Sequence, residues 1–166
     1  MIWAHGSFNF FLITFYLKAF PGNIFVNSMC FAGADLLAYI SSGLVLKFFA
    51  VRQGLFLSYS LALSAGISYL LNYNTDLPWL IPLLIALSRM GASMSFNIGY
   101  VSVQRLFPVQ YVTTVFGIVN FFGHLITIGS PMVAEIGEPI PFYVFCSNAA
   151  LAIIFGVQLI EYETIK

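Results

Sequence analysis

The sequence predicts an all-α membrane protein, a bundle of six transmembrane helices with almost no water-soluble mass. Three observations carry this. First, 60% of the 166 residues are hydrophobic and only 7% are charged, against roughly 25% charged in a soluble domain. A soluble domain of this size has too little interior to hide that much apolar surface, whereas a bilayer takes about 20 apolar residues per helix. Second, the apolar residues fall into runs of 16 to 26, divided by Gly, Pro, Asn and charged residues. Third, the runs lack the period-two alternation, in segments of about ten, that a membrane barrel shows. Only helices or closed barrels satisfy every backbone group in lipid.

The first run, residues 2–17, ends at Lys18 and the turn Pro21-Gly22-Asn23. It lacks the basic leader and small-residue cleavage site of a signal peptide, so it reads as a mature span. The second, 24–46, is interrupted only by Asp35 and stops at Lys47. A short polar link through Arg52 to Gly54 leads to the third, 55–71. Asn72, Asn74 and Asp76 mark a loop, and Pro78 suits the first turn of the fourth run, 78–103, which holds Arg89. Gln104, Arg105 and Pro108 end that run. The fifth, 112–133, contains His124 and is followed by Glu135, Gly137, Glu138 and Pro139. The sixth, 140–160, precedes a polar tail, Glu161 to Lys166.

An even number of spans puts both termini on one side. The loops and tail of that side hold Lys47, Arg52, Arg105 and Lys166; the opposite loops hold Lys18 with Asp76, Glu135 and Glu138. The positive-inside rule then makes the termini cytoplasmic.

Composition and motifs also exclude. Zero net charge gives no footprint for nucleic acid. Cys30 and Cys146 sit inside apolar runs, and neither CxxC nor a His/Cys cluster occurs, so no disulfide framework or metal site is expected. No GxSxG, HExxH or P-loop is present, and no cofactor or enzymatic activity is expected. His5, near the cytoplasmic end of the first span, reads as interfacial.

Ionisable residues inside spans are the most informative feature. Each costs about 2.5–3.5 kcal/mol at a helix centre and faces a partner or a wet cavity. Asp35 and Arg89 each lie eleven residues into a helix that starts on the outer side, about 16 Å down at 1.5 Å per residue. His124 lies twelve residues into a helix that starts on the opposite side, about 18 Å from that face. Three segments thus carry an ionisable group at one level near the midplane. Two readings are open: Asp35 and Arg89 neutralise each other and only hold the bundle together, or all three line a polar cavity. Stepping along the helices, Arg89, Ser93, Phe96 and Tyr100 share a face, as do Asp35 and Tyr39, and Asn120 and His124. A charge, a hydroxyl and aromatic rings together suit an organic ion. The cavity reading therefore assigns substrate contact to Asp35, Tyr39, Arg89, Ser93, Phe96, Tyr100, Asn120 and His124. It also brings spans two, four and five together inside, leaving spans three and six to lipid or other helices. Small residues such as Gly33, Ala34, Gly91 and Ala92 are expected to allow close helix approach.

Several segments match a known pattern in order. Pro21 to Asn27 and Ala34 to Tyr39 resemble the "GNIYLN…VEIPAY" stretch of the organic cation and anion transporters of the major facilitator superfamily. Ser88-Arg89-Met90-Gly91-Ala92-Ser93 with Phe96 resembles the tenth helix of those carriers, and Gln104 to Pro108 resembles their "AELFP". Thr113 to Pro131 is similar to their eleventh helix, and Glu161 to Thr164 to their closing "LPET". The resemblance spans nearly the whole chain and implies the C-terminal half of a major-facilitator fold, helices seven to twelve of twelve. It implies cytoplasmic termini, an acidic residue at Asp35, a basic one at Arg89 and an ionic one at His124. A histidine there leaves the sign of the substrate's charge open.

Departures also stand out. Lys47 to Gly54 lacks the family's "DRLGRR", and Arg105 replaces the Glu of "ELFP". Both loops are thought to latch the cytoplasmic gate in the family. A carrier of this class binds substrate between two six-helix halves. The expected partners are therefore a small organic ion, the bilayer, and a separate N-terminal six-helix half, a second copy or other membrane subunits. Met1 runs straight into apolar sequence, which suggests a fragment. The function implied is one half of a secondary transporter working by alternating access; the alternative is a non-transporting, carrier-derived subunit of a membrane complex.

Overall fold

The computed structural model describes residues 2–20, 24–72, 79–137 and 139–157. The expectations placed on Pro21 to Asn23, Asn74, Asp76, Pro78, Glu138 and Glu161 to Lys166 fall outside these residues. Among the described residues the regular structure is all helix: α1 (Ile2–Tyr16), a 3-10 turn (Leu17–Ala19), α2 (Ile24–Phe48), α3 (Val51–Leu71), α4 (Leu80–Leu106), α5 (Val109–Thr127), α6 (Gly129–Ala134) and α7 (Ile140–Val157). By length and composition α2, α3, α4 and the run Val109–Ala134 can each cross a membrane, and Ile140–Gly156 is a shorter apolar helix. The chain is a multi-pass membrane protein.

Boundaries differ from the sequence reading where capping and proline decide them. Helix α3 starts at Val51, four residues before the apolar run, because Gln53 Oε1 accepts the Ala50 N–H at 3.3 Å and closes the first turn. Helix α4 runs through Gln104 and Arg105 to Leu106. Pro108 then forces Phe107 into extended backbone (φ −117°, ψ 144°) and itself precedes α5. The expected fifth span is α5 plus α6, with the ladder lapsing at Ile128. Pro131, three residues on, has no N–H to give the Thr127 carbonyl.

Helices α2, α4, α1 and α5 stand side by side in that order, with α3 packed behind α4 and α7 behind α1 and α3. The short α6 rests on α1 and α7. Lipid tails are as apolar as Leu, so close packing of small residues holds such helices together. The α3–α4 seam shows this: a Cβ on Gly91 would lie 2.6 Å from the Ala62 nitrogen and 2.8 Å from its Cα. At the α3–α7 seam a Cβ on Gly66 would meet Cys146 Sγ at 2.7 Å. Two apolar clusters result. One gathers Tyr16, Phe20, Phe31, Tyr69 and Phe142; the other gathers Ala38, Leu46, Leu55, Tyr59 and Ile98. Along α2, Asp35 falls between Phe31 of the first cluster and Ala38 of the second.

Candidate functional site

The two expected midplane charges meet. Arg89 Nε donates to Asp35 Oδ1 at 2.9 Å and Nη2 to Oδ2 at 2.8 Å, a two-pronged pair. Ser93, one turn beyond Arg89, donates its hydroxyl to Asp35 Oδ1. The remaining side of the guanidinium is held by α1. Nη1 donates to the Phe10 carbonyl at 2.9 Å and to Thr14 Oγ1. The Phe10 ring centroid lies 4.0 Å from Cζ and that of Phe31 5.5 Å from it, so the cation also rests against π faces. The Arg89 side chain is only 5% exposed, whereas Asp35 keeps 22%. The carboxylate is thus the accessible edge of a sealed, charge-neutral cluster. Tyr39, one turn after Asp35, is exposed.

Phe96 links this cluster to a second one. It stacks on Phe10 with centroids 4.9 Å apart and meets the Tyr100 ring edge-on at 4.8 Å. Tyr100 donates its hydroxyl to Asn120 Oδ1 at 3.3 Å, and Asn120 donates back to the Phe116 carbonyl at 3.0 Å. Trp3 of α1 fills the space between, 4.1 Å from Tyr100 and 5.8 Å from Phe116. Glycine makes this possible: a Cβ on Gly123 would lie 2.8 Å from Trp3 Cδ1, and one on Gly99 3.3 Å from Trp3 Cε3.

The structure therefore brings together Asp35, Arg89 and Ser93 at one point, and Phe96, Tyr100 and Asn120 at another. His124 stays apart. It is exposed, its ring 6.4 Å from Phe11, and α2 and α5 are not neighbours. The sequence reading has spans two, four and five converge inside; in the structure α4 touches both α2 and α5, the latter through Tyr100 and Asn120, while α2 and α5 do not meet. Span three, assigned to lipid or other helices, packs along α4 and α7.

Trp3, Phe10 and Thr14 belong to the site but not to the sequence reading. The signal available was the scatter of Ser7, Asn9 and Thr14 through a run without Asp, Glu, Lys or Arg. Ser7 and Asn9 are buried. Asn9 donates to the Phe145 carbonyl at 3.3 Å and accepts from Asn148 at 2.7 Å, pinning α1 to α7. His5, read as interfacial, is hydrogen-bonded to the Asn148 side chain and stacks on Phe155 at 5.7 Å. Among the described residues no group of three or more His, Cys, Asp or Glu could hold a metal ion.

Two comparisons bear on this arrangement. No family model matches the chain. Over 160 residues, 95% of this chain, the sequence is 26% identical to the human organic cation/carnitine transporter 2. The chain spans 28% of the length of that relative. The likeness is a distant one, to a membrane transporter.

Proposed function

We propose that this chain is one half of a secondary transporter for a small organic ion, similar to the C-terminal half of a major-facilitator carrier. It would rock as a body against a second six-helix unit about a site near the midplane. The observation that carries the reading is the Asp35–Arg89–Ser93 cluster: a buried cation, a partly exposed carboxylate and aromatic rings on adjoining turns. A substrate ammonium could approach the open edge of Asp35, with Tyr39 and Phe96 offering ring faces beside it. The distant transporter relative supports the same direction. Helices α2, α4, α1 and α5 would face the partner half, with α3 and α7 behind them.

A second reading has its own support. Nearly every donor of Arg89 is satisfied within the chain, as in a purely structural lock of a non-transporting subunit. Tyr39 separates the two, because it is exposed and lies outside the ion pair. The test is uptake of radiolabelled organic ions by cells expressing the chain with a six-helix N-terminal half. Under the transport reading Tyr39→Ala lowers uptake at least about tenfold, roughly the loss of one buried ring–cation contact, at unchanged membrane abundance. Under the structural reading no ion accumulates, and Tyr39→Ala changes nothing.

A further inference from the structure

A cavity of about 260 Å³ lies between α1, α5 and α7, apart from the Asp35–Arg89 cluster. Phe8, Ile126, Val144 and Leu151 form its apolar walls. Ile126 and Leu151, from two different helices, are 48% and 47% exposed, so the cavity opens to the surroundings of the bundle. Its polar wall is at mid-depth. Asn148 of that wall is eight residues into the 18-residue α7. His5, also of that wall, follows Ile2 by three residues, and the Ile2 carbonyl accepts the Tyr59 hydroxyl at 2.9 Å. Tyr59 is itself eight residues into α3, about 12 Å from the start of that helix. The cavity therefore faces hydrocarbon, where no water competes for its polar atoms.

The protons of that wall can be traced one by one. Asn148 Nδ2 donates to the His5 carbonyl at 3.2 Å and to Asn9 Oδ1 at 2.7 Å, which uses both amide hydrogens. A carbonyl only accepts, so the Asn148 amide has one orientation, with Oδ1 toward His5. His5 Nδ1 must then carry a hydrogen and donate it to that oxygen. Ser147 donates its hydroxyl to the Val144 carbonyl at 2.9 Å. His5, Ser147 and Asn148 have thus spent their protons within the chain and keep lone pairs. The neutral imidazole presents Nε2 as a bare acceptor, without a partner among the described residues. Phe155 stacks on the ring at 5.7 Å and steadies it. No Asp, Glu, Lys or Arg lines the cavity among the described residues.

We propose that this cavity binds a small neutral alcohol or phenol dissolved in the bilayer, its hydroxyl donating to His5 Nε2 and its hydrocarbon body filling the space along Phe8, Val144 and Leu151. An acceptor-only wall selects the occupant. A hydrocarbon of the same shape leaves the acceptor unpaired. An ether, an ester or a phosphate brings further acceptors to a wall that has no proton to offer. An ammonium donates, but it finds no carboxylate there, and an unpaired buried charge is costly. Size narrows the class further: a cavity of about 150 Å³ takes benzene, so this one takes a single ring with alkyl branches. The site is independent of the transport reading, because binding is measured without transport.

The test uses the full chain in phosphatidylcholine nanodiscs, its histidine nitrogens isotopically labelled, titrated with thymol at about pH 8, where an ordinary imidazole is neutral. The His5 Nε2 resonance, assigned with His5→Gln, should shift saturably as its lone pair accepts a hydrogen bond. Equilibrium dialysis of radiolabelled thymol against empty nanodiscs gives the affinity. Competition then reads the chemistry. Cymene, which lacks the hydroxyl, thymol methyl ether, which only accepts, and isopropylbenzylammonium, which is charged, should each bind at least about fivefold more weakly, the worth of one hydrogen bond. Leu151→Trp, which fills the cavity and leaves the His5–Asn148 contacts in place, should abolish binding. Equal binding of any of the three competitors, an Nε2 signal unmoved at saturating thymol, full binding by Leu151→Trp, or no saturable binding at all would each overturn the proposal.

Discussion

Arg89 illustrates how a single costly side chain organises its surroundings. A guanidinium in hydrocarbon needs a counter-charge and acceptors, and it finds them on two different helices, Asp35 of α2 and the Phe10 carbonyl with Thr14 of α1. Removing one member strands the other. Asp35→Asn or Arg89→Gln alone should each destabilise the protein by about 3 kcal/mol, the low end for a buried pair because Asp35 is partly open. The double variant leaves no orphan charge and should lose clearly less than the sum. Reversible unfolding in mixed micelles measures this coupling; strictly additive losses would contradict direct pairing. This pair was legible in the sequence because both residues sit at one depth, and a lone charge in a span must find a partner. Ser93 was legible from its one-turn spacing after Arg89. His124 was not, because depth says nothing about rotation. The same level on α5 is compatible with facing away, and the His124 ring is exposed, 6.4 Å from Phe11. Phe10 went unread because a backbone carbonyl acts as acceptor whatever its side chain.

At the scale of the element, small residues decide which helices touch. Helices α3 and α4 approach until Gly91 has no room for a methyl group against the Ala62 backbone. Gly91→Ala must push the two helices apart, since backbone cannot swing aside as a flexible side chain can. It should cost about 1–3 kcal/mol. Gly43→Ala is the control: a Cβ there meets nothing within 4 Å, and the change should be neutral or slightly stabilising through the unfolded chain. Unfolding of the two variants side by side checks this, and equal effects would contradict the close seam. The runs themselves were readable from hydropathy, and Gly91 was expected to allow close approach. Their ends were less so. Arg52 and Gln53 look like a loop by polarity yet form the first turn of α3, because side-chain capping outweighs the polar composition there. The lapse at Ile128 follows from Pro131, whose effect falls one turn upstream of the residue itself.

For the whole molecule, the basic ends of α2, α3 and α4 oppose the Lys18–Glu135 end. If the basic end is cytoplasmic, single cysteines at Asn74 and Gly137, introduced after replacing Cys30 and Cys146, should react with an impermeant thiol reagent in intact cells. Labelling at Gln53 and Thr164 instead would invert the orientation. The charge count predicts a side for each loop, but it says nothing about which helices are neighbours. That arrangement depends on α1, whose apolar sequence carries little pattern and which nevertheless touches α4, α5, α6 and α7.

That role of α1 has a cost in time. Of the described helices α1 is made first, yet several of its polar atoms wait for partners far along the chain. Thr14 and the Phe10 carbonyl meet Arg89 across separations of 75 and 79 residues, and Asn9 meets the Phe145 carbonyl across 136. At about 5–20 residues per second, the last of these partners emerges roughly 7–27 s after Asn9 itself. Through that interval the Asn9 side chain lacks the Phe145 carbonyl and Asn148 partners that it has in the finished structure. Among the described helices α1 therefore reaches its final surroundings only once α7 is in place, and until then its Asn9 amide must find other partners.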